Sequence, residues 1–204
     1  MKPRAKKCDI CKMPIENRRN SLQVVCSMAC ALEFNKRKEA KRRKAETQKM
    51  KAETRSHSEW IAVIQPNFNK LIREIDKFQP CISSGNAWIN GGMDSGHYWP
   101  TSTHGRLRFH FLNVWVESKN SNGFDSSHLI GYRKNLIGLF GQSLFDEIDS
   151  LPQKYQTLKW DIPTLKEADR LIKVFRKEAQ MMPILTTSQR LEVRREFMSR
   201  FLLY

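Results

Sequence analysis

The sequence predicts an α+β fold in which a four-cysteine zinc arm and a long basic helix precede a body of helices around a short region of strands. Three observations support this prediction. Four of the five cysteines fall within the first 30 residues. Residues 35–55 contain neither Pro nor Gly and consist mostly of strong helix formers. Beyond residue 55, apolar residues recur at helical spacing on both sides of a glycine-rich stretch, residues 80–125.

The first 34 residues contain the four-cysteine pattern Cys8-x2-Cys11-x14-Cys26-x3-Cys30. Two close pairs supply the four thiolates that tetrahedral Zn²⁺ requires, and because the protein fills all four positions the site is structural. Cys26 and Cys30 lie on one face of a helical turn that begins near Ser27. A segment this short depends on its metal for folding energy. The alternative is four unrelated reduced thiols.

The basic helix is predicted for residues 35–55 and almost lacks an apolar stripe, so we expect it to lie in solvent. Residues 1–55 carry 17 Lys and Arg against 6 Asp and Glu, a net charge of +11, whereas the whole chain carries +15. Such a concentrated basic arm is typical of nucleic-acid binders, and its affinity should fall with salt. The alternative is a solvated, highly charged helix. The candidate phosphate-binding residues are Lys36, Arg37, Lys38, Lys41, Arg42, Arg43, Lys44, Lys49, Lys51 and Arg55.

Length and composition exclude several other classes of protein. The chain has 204 residues, of which 40% are hydrophobic and 10% aromatic, too apolar for a wholly disordered chain. It contains no run of about 18 apolar residues, so a membrane span is not expected. The first residues lack the apolar stretch of a secretory signal. We therefore expect a cytoplasmic protein with reduced cysteines.

The body begins with an amphipathic helix between Trp60 and Phe78, where apolar residues recur every three or four positions. Pro66 is expected to bend or split this helix near Gln65.

The glycine-rich stretch that follows is expected to form short strands and loops. From residue 126 the pattern is helical again, with a break at Gly141. Pro163 and a capping box formed by Thr164 and Glu167 predict the start of another helix. Residues 188–204 predict a last helix within a C-terminal tail, residues 184–204.

Five short motifs lie in the region between the helices. They are Pro80-Cys81-Ile82-Ser83-Ser84-Gly85, Asp94-Ser95-Gly96-His97-Tyr98, Leu107-Arg108-Phe109, Asn113-Val114-Trp115 and Ser121-Asn122. Together with the cysteine arm and the basic helix, their order and spacing resemble the NinG (Rap) recombination proteins of lambdoid phages. The resemblance extends from about residue 6 to about residue 180, and so includes most of a body at residues 56–183.

The resemblance implies a variant of the His-Asn-His nucleases, with a small ββα-metal-like core that holds one catalytic Mg²⁺ or Mn²⁺ ion. By position, His97 matches the general base that activates water, and Asn113 the residue that orients its loop. Asn122 takes the place of a metal ligand, and Asp94 assists the metal directly or through water. His128 is a reserve metal ligand. A histidine with a pKa near neutrality suits the base, and a divalent ion stabilises phosphate charge.

The sequence departs from the family pattern at a second cysteine set. The family's second zinc knuckle would need cysteines at positions 81, 84, 118 and 121, but here only Cys81 is present and Ser84, Ser118 and Ser121 replace the others. Trp115 stands where the family has a histidine. Because serine is a poor zinc ligand, we expect one structural zinc ion. Packing by aromatic residues is expected to replace the second knuckle, the candidates being Trp88, Phe109, Trp115 and Phe124.

The sequence thus predicts a phage DNA recombination protein, located in the host cytoplasm, that binds branched or partly single-stranded DNA such as Holliday junctions and D-loops. It would act as a metal-dependent, structure-specific endonuclease, with phage or host recombination proteins as further partners and self-association left open. One alternative is a junction-binding or annealing accessory without catalysis. Another is a zinc-ribbon protein associated with RNA.

Overall fold

The computed structural model describes residues 6–16, 18–124, 128–201 and 203–204. This part of the chain forms seven α-helices, one short 3-10 helix and a two-stranded sheet, which confirms the α+β class. The chain divides into two compact units, Met1–Arg55 and Ser56–Tyr204. None of the described helices is long and apolar enough to cross a lipid bilayer.

The first unit consists of the cysteine segment and helix α1, Met28–Glu53. The Ser27 side chain caps this helix by accepting a hydrogen bond from the Cys30 amide. The side chains of α1 are mostly exposed, and ion pairs such as Glu33–Arg37 (2.6 Å) and Glu39–Arg43 (2.8 Å) connect successive turns. Pairs at this spacing support an isolated helix by a few tenths of a kcal/mol each. The predicted basic helix is therefore present, but it begins at Met28 and ends at Glu53 instead of spanning residues 35–55.

The core of the second unit forms between helices α2 (His57–Ile75) and α6 (Ile162–Met181). Helix α2 is continuous through Pro66, so the expected split does not occur. Ile64 and Phe68, on either side of that proline, are both fully buried. Burial of the same apolar face on both sides of the proline holds the helix together despite the lost hydrogen bond.

A β-hairpin lies between two helices of the second unit. Strand β1 (Met93–His97) pairs antiparallel with β2 (Val114–Ser118), and His97 lies opposite Val114. On one side, the Ser95 hydroxyl donates to the Asn69 carbonyl of α2 (2.7 Å). On the other, the Tyr132 hydroxyl donates to the Gly96 carbonyl (3.0 Å). Helix α3 (Lys119–Phe124) directly follows β2.

Two helices follow the hairpin, α4 (His128–Phe140) and α5 (Gln142–Lys154), and Gly141 separates them with a φ of 87°. The break predicted at Gly141 is therefore confirmed. The predicted capping box of the next helix is wrong: Asp161 caps α6 by accepting from the Thr164 amide (2.8 Å). Proline favours the first turn of a helix, so the cap lies before Pro163.

The last helix, α7 (Thr187–Arg200), belongs to the core through a buried ion pair. Arg194 donates two hydrogen bonds to the Asp76 carboxylate, at 2.9 and 2.7 Å, and its guanidinium lies 3.8 Å from the Trp115 ring centroid. The Val116 amide of β2 donates to the same carboxylate (2.9 Å). Asp76 therefore joins the end of α2, the hairpin and α7.

Candidate functional site

The four N-terminal cysteines form a metal-ligand cluster in the first unit. Their Sγ atoms all lie within 4.8 Å of one another, with Cys11 and Cys26 at 3.4 Å and Cys26 and Cys30 at 3.7 Å. Four ligands at about 2.3 Å from a zinc ion are separated by about 3.8 Å. The predicted ligands Cys8, Cys11, Cys26 and Cys30 could therefore hold one zinc ion.

The local backbone explains the chemistry of this cluster. Burial raises the pKa of Cys8, but hydrogen bonds from backbone amides, those of Cys11, Ile10 and Cys26, outweigh it and lower that pKa to about 6. Hydrogen bonds with Cys11 and Cys30 raise the pKa of Cys26 to about 12. Zinc binds cysteine as the thiolate, so loading this cluster with zinc would release protons.

The candidate phosphate-binding residues of the arm lie on or just beyond α1. Lys36, Lys38, Lys41, Lys44, Lys49 and Lys51 are exposed on the helix. Arg37, Arg42 and Arg43 are also exposed, and each pairs with a glutamate one turn away. Arg55 follows the helix and is half-buried.

In the second unit, the hairpin brings His97 and Asn113 together. His97 ends β1, and Asn113 directly precedes β2 and is fully buried. The Asn113 amide nitrogen donates to the carbonyls of Trp99 and Leu107, and its side-chain oxygen accepts from the Trp99 amide (2.8 Å). Asn113 thus holds the loop that follows strand β1, the strand that ends at His97.

The hydrogen bond of His97 defines its tautomer. Its Nε2 lies 3.0 Å from the Arg108 carbonyl oxygen, which only accepts, so Nε2 carries the hydrogen and Nδ1 keeps its lone pair. Burial lowers the pKa of His97; the bond to Arg108 opposes this effect and the charge of Arg108 adds to it. His97 is therefore neutral at pH 7, as a general base must be.

Of the other predicted metal ligands, Asp94 lies near enough to His97 for its charge to raise the pKa of that histidine, against the effect of burial. Asp94 Oδ1 accepts from Arg73 (3.2 Å) and from the Ser95 amide. Asn122 is exposed on α3, which adjoins the start of β1, and the Lys119 amide at the head of that helix donates to the Gly92 carbonyl.

Within the described ranges, no contact joins Asn122 or His128 to His97. Outside the four-cysteine cluster, the described His, Cys, Asp and Glu residues form no group of three or more that could hold a metal ion.

Sequence reasoning missed a buried carboxylate on strand β2 of the hairpin. Glu117 is fully buried, its Oε1 lies 2.8 Å from His128 Nδ1, and its Oε2 has no hydrogen-bond partner. Gly96 makes room for this side chain, because a Cβ atom there would overlap Glu117 Oε2. A glycine inside a strand often marks such a close approach, and Gly96 was the signal that could have revealed the buried carboxylate.

Comparisons with known proteins identify the family. A family model described as "Bacteriophage Lambda NinG protein" matches residues 1–181. The chain belongs to the NinG family. Relatives include "Protein ninG" of Enterobacteria phage H19B, 37% identical over 109 residues, which are 53% of this chain and 52% of that protein. "Protein ninG" of Escherichia phage lambda is 34% identical over 123 residues, 60% of this chain and 57% of that protein.

The matched stretches thus span little more than half the length of these two NinG relatives. No solved structure gives a significant match to the chain.

Cys81 and the serines at positions 84, 118 and 121, where the family resemblance implies a second zinc knuckle, form a compact hydrogen-bonded cluster in this NinG protein. Cys81 Sγ accepts from the Ser118 amide (3.2 Å) and the Ser84 amide (3.5 Å), and it lies 3.9 Å from the Ser121 hydroxyl. Burial raises the pKa of Cys81, but hydrogen bonds from Ser83, Ser84 and Ser118 outweigh it and lower that pKa to about 6. The four knuckle positions therefore still meet.

Of the aromatic residues expected to replace the knuckle, Trp88 packs here, with Met93 and Val116. The expectation is wrong for Phe109, which packs in the core between α2 and α6, and for Trp115, which belongs with Tyr132 and Phe145 to a second core cluster. The Phe124 side chain lies outside the described part of the structure.

Proposed function

We propose that this NinG-family protein acts in phage DNA recombination, binding branched or partly single-stranded DNA and cutting it with the help of a divalent ion. The observation that carries the proposal is the geometry of His97. It ends a strand whose following loop is fixed by Asn113, and its Nε2 hydrogen is directed at the Arg108 carbonyl. A β-hairpin followed by helices is the arrangement expected of a ββα-metal core.

His97 would act as the base. Its neutral imidazole takes a proton from water at Nδ1, and the bond to the Arg108 carbonyl holds the ring while the charge develops. Asn113 acts as a positioning residue, because its hydrogen bonds hold the loop that contains this carbonyl.

Asp94 is the carboxylate that suits a divalent ion near this base. Mg²⁺ is usually bound by one or two carboxylates together with substrate phosphates and water, so a complete set of protein ligands is not required. Asp94 is half-exposed, and its described partners, Arg73 and the Ser95 amide, both bind Oδ1. Asn122 and His128 remain further candidates. The ion would stabilise charge on the phosphate and on the leaving oxygen.

The zinc arm and α1 would supply affinity for DNA. Helix α1 has 26 residues, and its exposed lysines present positive charge to phosphates. The sequence shows no motif for reading bases. Recognition would therefore depend on the DNA backbone and on the shape of the branch.

A non-catalytic junction-binding protein is the second candidate. It is favoured by the lack of a group of three metal ligands around His97 among the described His, Cys, Asp and Glu residues.

One experiment tests both candidates. The purified full chain and its His97→Ala variant are incubated with a labelled four-way junction, linear duplex and single strand, with and without Mg²⁺. His104→Ala is the matched control, because His104 lies in the same loop region and bonds to Thr103. We expect Mg²⁺-dependent cleavage by the wild type and the control, lost in His97→Ala.

If the three proteins bind the junction tightly and none of them cleaves it, the result would instead favour the non-catalytic junction-binding protein. A labelled RNA strand is included in the same series, and equal binding to RNA and DNA in gel-shift assays would refute the DNA-specific proposal.

A further inference from the structure

The second unit contains a groove along α2 that the comparisons do not assign. Two adjoining depressions of about 520 and 580 Å³ share Ile61 and Arg108 in their walls. One continues past Arg106 to Lys159 and the other past Lys70 toward Asp94. They form one surface, which we call the α2 groove.

The α2 groove concentrates positive charge. Its walls contain five cationic residues and one carboxylate, that of Asp94. Residues 56–204 as a whole carry 19 Lys and Arg against 15 Asp and Glu, so the groove is far more basic than the unit around it. The cationic residues are Lys70, Arg73, Arg106, Arg108 and Lys159.

Two wall residues of the α2 groove interact with His97, which does not itself line the groove. The Arg108 carbonyl accepts the His97 hydrogen bond, and Arg108 and Asp94 both line the groove. The Ser95 hydroxyl, on the same face of the hairpin as His97, donates to the carbonyl of Asn69, another wall residue. A strand lying in the groove would therefore contact Arg108, the residue whose carbonyl holds the candidate base.

The cationic side chains suit a phosphodiester backbone. Arg108 donates one hydrogen bond to Gln65 (3.1 Å) and Arg106 donates one to the Tyr155 carbonyl (3.1 Å), which positions each guanidinium while leaving further donors. Lys70 and Lys159 are exposed near opposite ends. Mobile lysines and anchored arginines are the usual donors to phosphate oxygens.

We propose that the α2 groove binds the backbone of the DNA strand presented to His97, with Arg106, Arg108, Lys70 and Lys159 contacting successive phosphates. This inference rests on the proposed function, because it states where the substrate of that site lies. It gives the second unit a DNA-binding surface of its own, in addition to the basic arm.

The test measures DNA binding without Mg²⁺, so that cleavage plays no part. Full-length wild type and Lys70→Ala/Lys159→Ala bind a fluorescent single strand and a four-way junction at several salt concentrations between 50 and 200 mM, followed by anisotropy. The matched control is Lys134→Ala/Lys177→Ala, which removes two exposed lysines outside the groove. Urea unfolding followed by tryptophan fluorescence checks that both variants fold.

Each lost phosphate contact lowers the slope of log K against log salt by about 0.7 on single strands and about 0.9 on duplex. Because the groove variant lacks two lysines, we expect its slope of log K against log salt to be smaller in magnitude by about 1.4 on single strands and about 1.8 on duplex. The control should keep the wild-type slope. An unchanged slope in the groove variant, or equal losses in both variants, would overturn the inference.

The outcomes separate the groove from the nuclease. If His97→Ala abolishes cleavage while the groove variant binds and cuts like the wild type, the groove inference fails and the nuclease proposal stands. If the groove variant alone loses slope and no protein cuts DNA, the groove stands and the nuclease proposal fails.

Discussion

Burial of His110 should make the second unit sensitive to acid. This residue is 1% exposed, its Nδ1 has no hydrogen-bond partner, and its ring packs against Tyr204 and Tyr155 at centroid distances of 4.7 and 5.5 Å. Burial, assisted by the charge of Lys154, lowers the pKa of His110 to about 3 from an ordinary value of 6.5. The folded protein therefore holds this ring neutral in mild acid, whereas the unfolded chain binds a proton there.

The sign and size of this effect on the unfolding free energy follow from the linkage between proton binding and folding. Because the unfolded state binds the extra proton, the contribution of His110 is complete above about pH 6.5 and is lost as the pH falls toward 3. One pH unit corresponds to about 1.4 kcal/mol. Between pH 7.5 and pH 4.5 the titration covers about two units, so His110 should cost about 3 kcal/mol of unfolding free energy. Total stabilities are often only about 5–15 kcal/mol.

The assay compares urea unfolding of the wild type and His110→Phe at pH 7.5 and pH 4.5. All five tryptophans lie between residues 60 and 160, so tryptophan fluorescence reports on the second unit. Phenylalanine keeps a ring but cannot titrate, and the other ionisable groups cancel in the difference. Between pH 7.5 and pH 4.5, we expect the unfolding free energy of His110→Phe to rise by about 3 kcal/mol relative to that of the wild type. If the difference between the two proteins changes by less than about 0.5 kcal/mol from pH 7.5 to pH 4.5, the reasoning is refuted.

Three further predictions concern the zinc arm, the hairpin and the core. Cys8→Ser should lower the zinc content, measured by atomic absorption, from about one ion per chain toward zero, because one of four ligands is lost. Gly96→Ala should lower the unfolding free energy in urea by about 1–3 kcal/mol, because the new Cβ overlaps the Glu117 side chain. Asp76→Asn should lower it by about 3–5 kcal/mol, because Arg194 is left as a buried charge without its partner.

Each of these predictions has a matched control. Cys81→Ser should leave the zinc content unchanged, and zinc retained in full by Cys8→Ser would contradict the assignment of the site. Gly105→Ala places its Cβ in open space and should change stability by less than about 0.5 kcal/mol. Glu147→Gln breaks an exposed pair with Arg195 and should cost less than about 1 kcal/mol. If a control loses as much stability as its partner variant, the structural explanation is wrong.

The sequence predicted those features that depend on residues close together in the chain. The four cysteines form two local pairs, and their cluster follows from spacing. The helical periodicity around Phe68 and the break at Gly141 likewise involve neighbours within one or two turns. The cap of α6 was misplaced because Thr164 also fits a capping pattern, although a cap before Pro163 at Asp161 agrees better with proline's preference for the first turn.

Features formed by distant residues could not be predicted. Asp76 and Arg194 are 118 positions apart, and nothing local indicates that an arginine in a polar-looking helix is fully buried. Glu117 resembles an ordinary outward-facing strand residue until the helix that bears His128 covers it. The proximity of His97 to Asn113 was available only through the family resemblance, because it requires the pairing of two strands. The α2 groove likewise combines residues from segments far apart in the sequence.

The buried Asp76 also has a consequence for how the second unit folds. Joining residues 118 positions apart costs on the order of 4 kcal/mol of loop-closure entropy, which must be met before the contact contributes stability. Contacts of such high sequence separation slow folding. We therefore expect α7 to dock late, and the carboxylate of Asp76 to stay hydrated until it does. The hairpin that bears His97 would then reach its final geometry only when α7 docks, so that docking is the last step in assembly of the candidate site.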